Sequence, residues 1–270
     1  MIFDTHSHLH FKDFADIENE VKIMQEYGVK YATLVGSDCD TSADAIALAK
    51  KYPQFFATVW IHPTDVWENL DIKTEIEKLD KLVEKERENI VAIWEIWFDY
   101  FHLNEDKIEE EKEKQKELFF RQVEIAKKYN LPVIIHTRNA RDDTLKYIKE
   151  SEIKKFVIHC FTENYEFAQD IMDYSPEAYF WFSGIVTFKK ASDIQDAASK
   201  IPLSKILVET DAPYLTPEPF RWQKINTSGY TKFVLEKIKE LRPESREEIE
   251  NQIFENSLSF YWIPALSSWA

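Results

Sequence analysis

Six residues able to bind metal recur within or just after short apolar runs. They are His6 and His8 in MIFDTHSHLH, Glu95 in VAIWEIWFDY, His136 in PVIIHTR, His159 in FVIHC and Asp211 in ILVETDAP. His6 and His8 are separated by one residue, so on extended backbone both point to the same side. Four imidazoles and two carboxylates form a borderline-hard ligand set suited to Zn, Mn, Fe or similar divalent ions. One ion seldom needs six protein ligands, so the set reads as two ions bridged by Glu95. The chemistry expected of such a site is hydrolysis by an acidified water.

These residues converge only if the runs before them are neighbouring strands. Eight such runs are present: Met1–Asp4, Tyr31–Val35, Phe55–Ile61, Ile90–Phe98, Pro132–His136, Phe156–His159, Ala178–Phe182 and Ile206–Glu209. Several are almost continuously hydrophobic, as strands buried on both faces are. Between them lie amphipathic stretches such as Asp16–Tyr27, Ser42–Lys51, Ile72–Arg87 and Lys107–Tyr129. Eight β-α alternations predict an α/β fold, a TIM-type (β/α)8 barrel, and the count of eight favours it over a doubly wound sheet. A barrel of this kind places such residues at the C-terminal ends of its strands, where its active sites lie. No linker, repeat or low-complexity tract divides residues 1–270, which read as one domain. The Pro- and aromatic-rich segment Pro213–Tyr230 predicts a long ordered loop at the barrel mouth, and Ser245–Phe260 a final helix.

The bulk composition narrows the class. Of 270 residues, 44% are hydrophobic, enough for a sizeable core, yet no run approaches the roughly 20 apolar residues of a membrane span. The N-terminus carries histidines where a signal peptide would be apolar. With only Cys39 and Cys160, no disulfide framework is expected. These features predict a cytoplasmic monomer with no obligate protein partner and no membrane association. A formal charge of -15 argues against a protein that coats nucleic acid. It still allows an enzyme that grips one strand end through metal ions and a few cations.

The chain resembles the TatD family of metal-dependent deoxyribonucleases, within the amidohydrolase superfamily. The resemblance rests on FDTHSH at the start, IHP at 61–63, EIWFDY at 95–100 and IHTRNA at 135–140. It continues through IHCFT at 158–162, FSGIVTFK at 182–189 and ETDAPYLTP at 209–217. It implies that His6, His8, Glu95 and Asp211 hold one divalent ion and that Glu95, His136 and His159 hold the second, with Mg, Mn or Zn as candidates. It also implies cleavage of DNA phosphodiester bonds, typically from a 3′ end, with single-stranded DNA or 3′ ends as substrate. Asp211 is then the candidate general base, accepting a proton from water while remaining a ligand. His62 is a candidate phosphate contact or a loop histidine before a turn proline. Arg138 is a candidate bidentate phosphate clamp or a loop salt bridge. Glu209 supports a ligand imidazole or forms a simple buried ion pair. Cys160 reads as a packing thiol, and Asp99 and Tyr100 as structural. His10 and His102 read as loop residues lining the cleft. Tyr214, Phe220 and Trp222 pack in a loop or stack on an unpaired base. The alternatives are a relative cutting lactone, amide or phosphotriester bonds, and a metal-binding protein inactivated by tryptophan. The absence of lysine from the fourth strand favours the nuclease branch.

The chain departs from the family pattern at its glycines. It has 4 Gly, where average usage near 7% gives about 19, and 8 Trp. Trp60, Trp94, Trp97, Trp181, Trp222 and Trp262 stand where the pattern has glycine or a small residue. Independent drift would rarely choose Trp at five or six such sites. The pattern fits a source that reads the codon UGA as glycine, with the sequence translated as Trp. Strand alternation predicts Trp97 on the inner side with Glu95 and Trp94 on the outer side, toward the helices. Sequencing the gene tests the recoding: UGA is expected at these positions, and UGG at Trp60, Trp94, Trp97, Trp181 and Trp222 would exclude it.

Overall fold

Each strand pairs in parallel with the next in chain order, and the sheet comes almost full circle. The computed structural model describes residues 1–61 and 71–264 and, within β4, all but the side chain of Glu95. The strands are β1 (Ile2–Ser7), β2 (Val29–Val35), β3 (Phe55–Val59), β4 (Ile90–Asp99), β5 (Val133–Arg138), β6 (Phe156–Ile158), β7 (Tyr179–Phe182) and β8 (Ile206–Val208). A parallel bridge from Ser7 to Ala212 joins the first strand to the segment just past the last. The helices are α1 (Ile17–Glu26), α2 (Cys39–Lys51), α3 (Ile72–Glu86), α4 (Ile108–Tyr129), α5 (Arg141–Ser151), α6 (Tyr165–Tyr174), α7 (Ser192–Lys200), α8 (Thr231–Leu241) and α9 (Arg246–Phe260). The architecture is a TIM-type barrel, and no described helix is long and apolar enough to cross a membrane.

Local sequence sets the helix starts. Asp16, Asp38, Asn164 and Ser245 each precede a helix and accept a hydrogen bond from a backbone N–H of its first turn. Asp38 and Thr41 cap each other reciprocally. The helices need these devices because their amphipathic faces are recruited by packing and are marginal alone.

Packing divides into two shells. Outward-facing strand residues such as Leu34, Ile93, Ile96, Phe98 and Ile135 meet the helices in one cluster. Inward-facing residues, among them Phe3, Val35, Trp60, Ala92, Trp94, Ile134, Val157, Trp181 and Leu207, fill the barrel. Phe254, Leu258, Phe260 and Tyr261, at and just beyond the C-terminal half of α9, join this inner cluster and floor the barrel at the N-terminal ends of its strands. Tyr261 reinforces that floor by donating its hydroxyl to the Thr5 carbonyl at 2.7 Å.

The expected outward placement of Trp94 is wrong. Trp94 lies inside, fully buried and stacked on Trp181 with ring centroids 5.4 Å apart. The cause is a shift in the β4–β5 register between Ile93 and Ile96. Trp94 packs inward and Ile96 outward, so residues two apart face opposite ways. A bulge of this kind breaks strand alternation, and such bulges recur beside active sites.

Backbone geometry also singles out Trp262. It follows the α9 cap residue Tyr261 with φ 55°, in the left-handed region. Its N–H donates to Ser259 O and that of Ile263 to Leu258 O, which completes a Schellman motif. Glycine is the usual residue there, because a Cβ costs roughly 1–2 kcal/mol. Lys155 lies over the indole at 4.2 Å and offsets about 0.5–1 kcal/mol of that. Trp262→Gly is therefore expected to raise the melting temperature by about 2 °C, and Trp262→Ala, which keeps the strain, to lower it. Calorimetry showing glycine at or below the parent value would contradict this.

Candidate metal centre

The candidate ligand histidines are held by hydrogen bonds made on the ring edges away from the site. His6 lies in β1, His8 directly follows it, His136 lies in β5 and His159 follows β6. His8 Nδ1 is 2.6 Å from the Val35 carbonyl, which can only accept, so Nδ1 carries the proton. His6 Nδ1 and His159 Nδ1 both face Glu209 Oε2, at 3.2 and 3.4 Å. With each Nδ1–H directed at that carboxylate, the lone pairs of all three neutral rings reside on Nε2.

Those lone pairs converge. His6 Nε2 and His8 Nε2 are 3.0 Å apart, and Asp211 Oδ1 is 3.3 and 3.6 Å from them. Two imidazole lone pairs facing each other across 3.0 Å repel, whereas a cation between them and the carboxylate satisfies all three donors. The donor atoms of His6, His8 and Asp211 all lie within 4.8 Å of one another. Nearby, His159 Nε2 meets His136 Nδ1 at 2.9 Å. This donor chemistry fits one divalent ion at His6, His8 and Asp211 and a second at His136 and His159. Backbone places Glu95 in β4, beside these strands, while its side chain and all of His62 lie outside the described residues.

Glu209 is fully buried. Burial pushes its carboxyl up, but its interactions with His159 and then with His6 outweigh it and hold the acid at about 2. Its other oxygen accepts the Cys160 N–H at 2.7 Å. Burial pushes His6 down, a neutral state compatible with ligation.

Asp211 lies three residues past β8, in a left-handed turn at φ 59° rather than closing the strand. Its N–H donates to His6 O at 3.0 Å. Asp4 fixes this turn: it accepts the Thr210 N–H at 2.9 Å and the hydroxyls of Thr210 and Ser228. Burial raises Asp4 to about 7 despite those bonds. Asp4 was not among the expected site residues. A charged residue inside an apolar strand, two before a ligand, was the available signal.

The ligands open into a cavity of about 650 Å³ that His136, Arg138, Trp97 and Tyr214 also line. Arg138 donates to His102 Nε2 at 3.1 Å, with its guanidinium 3.9 Å from the Phe101 ring, so it is stacked on the loop after β4. His10 is mostly withdrawn from water, and burial lowers it to about 3. Phe220 stacks on Tyr230 at 4.6 Å, which makes it loop packing, while Trp222 is 77% exposed. Tyr214 remains at the rim, 6.2 Å from His8. Tryptophan crowds the ligands: Trp94 is 4.1 Å from His6 and 4.6 Å from His159, and Trp97 is 4.7 Å from His136, between ring centroids.

Comparison with known proteins matches residues 3–262 to the family described as TatD related DNase. The chain is 35% identical to the uncharacterized metal-dependent hydrolase YabD of Bacillus subtilis (strain 168), covering 97% of this chain and 100% of the relative. It is 31% identical to the uncharacterized metal-dependent hydrolase YcfH of Escherichia coli (strain K12), covering 98% and 97%. The crystal structure of YjjV, a TatD homologue from Escherichia coli K12, superposes with a TM-score of 0.89 at 28% identity, covering 97% and 98%.

The indoles beside the ligands yield a prediction. A Trp60→Gly, Trp94→Gly, Trp97→Gly protein is expected to bind Mn more tightly and to turn over faster, on the order of tenfold, by relieving roughly 1–3 kcal/mol of crowding. Metal affinity and turnover are the deciding readouts, because removing packed indoles also leaves cavities that lower stability. Equal affinity and turnover in the two proteins would refute it.

Proposed function

The chain belongs to the TatD related DNase family of metal-dependent hydrolases, and from that premise we propose that it cleaves DNA phosphodiester bonds from a 3′ end. The observation that carries this reading is the pair of converging imidazole edges with Asp211 beside them, open to a cavity at the C-terminal face of the barrel. Divalent ions held there supply Lewis acidity, which acidifies water and neutralises charge on phosphoryl oxygens.

The chain's own residues provide the rest. Asp211, partly exposed to the cavity, accepts a proton from the attacking water. Glu209 keeps His6 and His159 in the ligating tautomer, and the Val35 carbonyl does the same for His8. Arg138 releases His102 and turns its planar fork to a phosphate. In this reading Glu95 would help to hold the ions, and His62 would contact the phosphate or leaving oxygen. Tyr214 presents a ring at the rim on which a terminal base stacks.

The test uses the purified chain, stripped of metal and reloaded with Mg, Mn or Zn, acting on single-stranded DNA labelled at either end. Stepwise, metal-dependent loss of nucleotides from the 3′ end is expected. Asp211→Asn should lower turnover by about 10²–10⁴-fold. Metal binding without turnover on DNA, RNA or model phosphodiesters would reject the proposal. That result would favour a metal-binding protein blocked by Trp94 and Trp97, the reading their contacts with the ligands support.

A further inference from the structure

A second cavity, of about 510 Å³, lies at the opposite end of the barrel. It opens under the N-terminal ends of β5 to β7, beside the end of α9, and lysines dominate its charged lining: Lys127, Lys154, Lys155 and Lys205 against Glu152 and Glu177. In a chain of net charge -15 this concentration of cations is anomalous.

The lysines also differ from those elsewhere in the protein that pair with an acid. Lys50, Lys78, Lys114, Lys128, Lys200 and Lys239 each sit within 4 Å of a carboxylate. None of the four cavity lysines has a carboxylate at that distance among the described residues. Three instead donate to backbone carbonyls. Lys127 Nζ reaches Ser151 O, Lys155 Nζ reaches Ser259 O at 2.7 Å, and Lys205 Nζ reaches Pro176 O. Each such bond uses one of three ammonium protons and anchors the group without neutralising it. Burial lowers Lys155 to about 8 and lowers Lys205 too, and Glu177 opposes this from beyond ion-pair range. Partly desolvated ammonium groups without a counter-ion are unfavourable, and an anion placed among them relieves that imbalance.

We propose that this cavity binds a small phosphate-bearing anion, gripped by Lys155 and Lys205, with Lys127 and Lys154 completing the charge. The site is separate from the metal centre, since it lies at the opposite ends of the strands. A phosphate at physiological pH carries enough charge to meet several ammonium groups at once, and Tyr179 and Trp262 supply flat walls beside it. The groups facing Lys155 and Lys205 are the other two lysines, Glu152, Glu177 and the Tyr179 phenol. Lys155, lowered by burial to about 8, loses its proton as pH rises through that value. A bound anion favours the protonated ammonium, so affinity falls as pH rises through about 8.

The test is calorimetric titration of the metal-stripped full chain with inorganic pyrophosphate at low ionic strength, repeated with a deoxynucleoside 5′-monophosphate. One saturable site is expected for pyrophosphate, weakened by added salt and by raising the pH from 7 to 9.5. Lys155→Gln with Lys205→Gln should weaken it by about tenfold or more, whereas Lys22→Gln with Lys73→Gln, on the exposed surface, should not. In the unmodified chain, pyrophosphate should also protect Lys155 from an amine-acylating reagent, read by mass spectrometry, which decides the matter if the double variant fails to fold. Absence of saturable binding, unchanged affinity in the Lys155/Lys205 variant, or no protection of Lys155 would each overturn the proposal.

Discussion

One buried carboxylate organises the candidate site. Glu209 stands just past β8 and reaches His6 on β1, His159 after β6 and the amide of Cys160. A lone ionised acid in that interior would be costly. Three N–H groups aimed at it reverse the sign and hold it ionised. The same three bonds determine which nitrogen of each ring faces the cavity. Ring geometry and charge compensation are therefore one arrangement, and a change at Glu209 would disturb His6, His159 and the backbone at Cys160 at once. Asp4 plays the matching part on the other side of the β1–β8 seam, holding Thr210 and with it the turn that presents Asp211.

Much of the barrel is legible from the chain because buried parallel strands leave short apolar runs and their helices leave amphipathic ones. All eight runs are strands, most within one to three residues of their expected ends, and Ser245 caps the expected final helix. His6, His8, His136, His159 and Asp211 come together as their positions at strand ends implied. Trp94 shows where periodicity fails. A bulge is set by a local choice of hydrogen-bond partners in β4 and β5, and nothing in IWEIW marks it. The left-handed turn at Asp211 was likewise hidden, because its cause is Asp4, about two hundred residues away. The flooring of the barrel by α9 depends on tertiary packing, which an amphipathic pattern cannot assign to a particular partner.

The glycines and tryptophans tell complementary stories. Gly28 has φ 75°, and a Cβ on Gly184 would lie 2.0 Å from the Leu215 carbonyl oxygen, so both positions demand glycine. Trp262 occupies a conformation of the same kind, yet carries an indole. Trp60, Trp94 and Trp181 are the largest fully buried side chains, and the indole N–H groups of Trp94 and Trp181 have no hydrogen-bond partner among the described residues. A barrel interior can be filled by such rings, but a polar N–H left without a partner works against that filling. The tension is concentrated at the ligands, where space is needed for ions as well as for side chains.

The hydrogen bond from Tyr261 to Thr5 spans nearly the whole chain. Thr5 directly precedes His6, and Tyr261 follows the helix that floors the barrel. The contact ties the floor of the barrel to the strand that carries His6, across a sequence separation of 256 residues. A change in the floor, at the far end of the barrel from the cavity, is therefore carried along β1 to the pair His6 and His8.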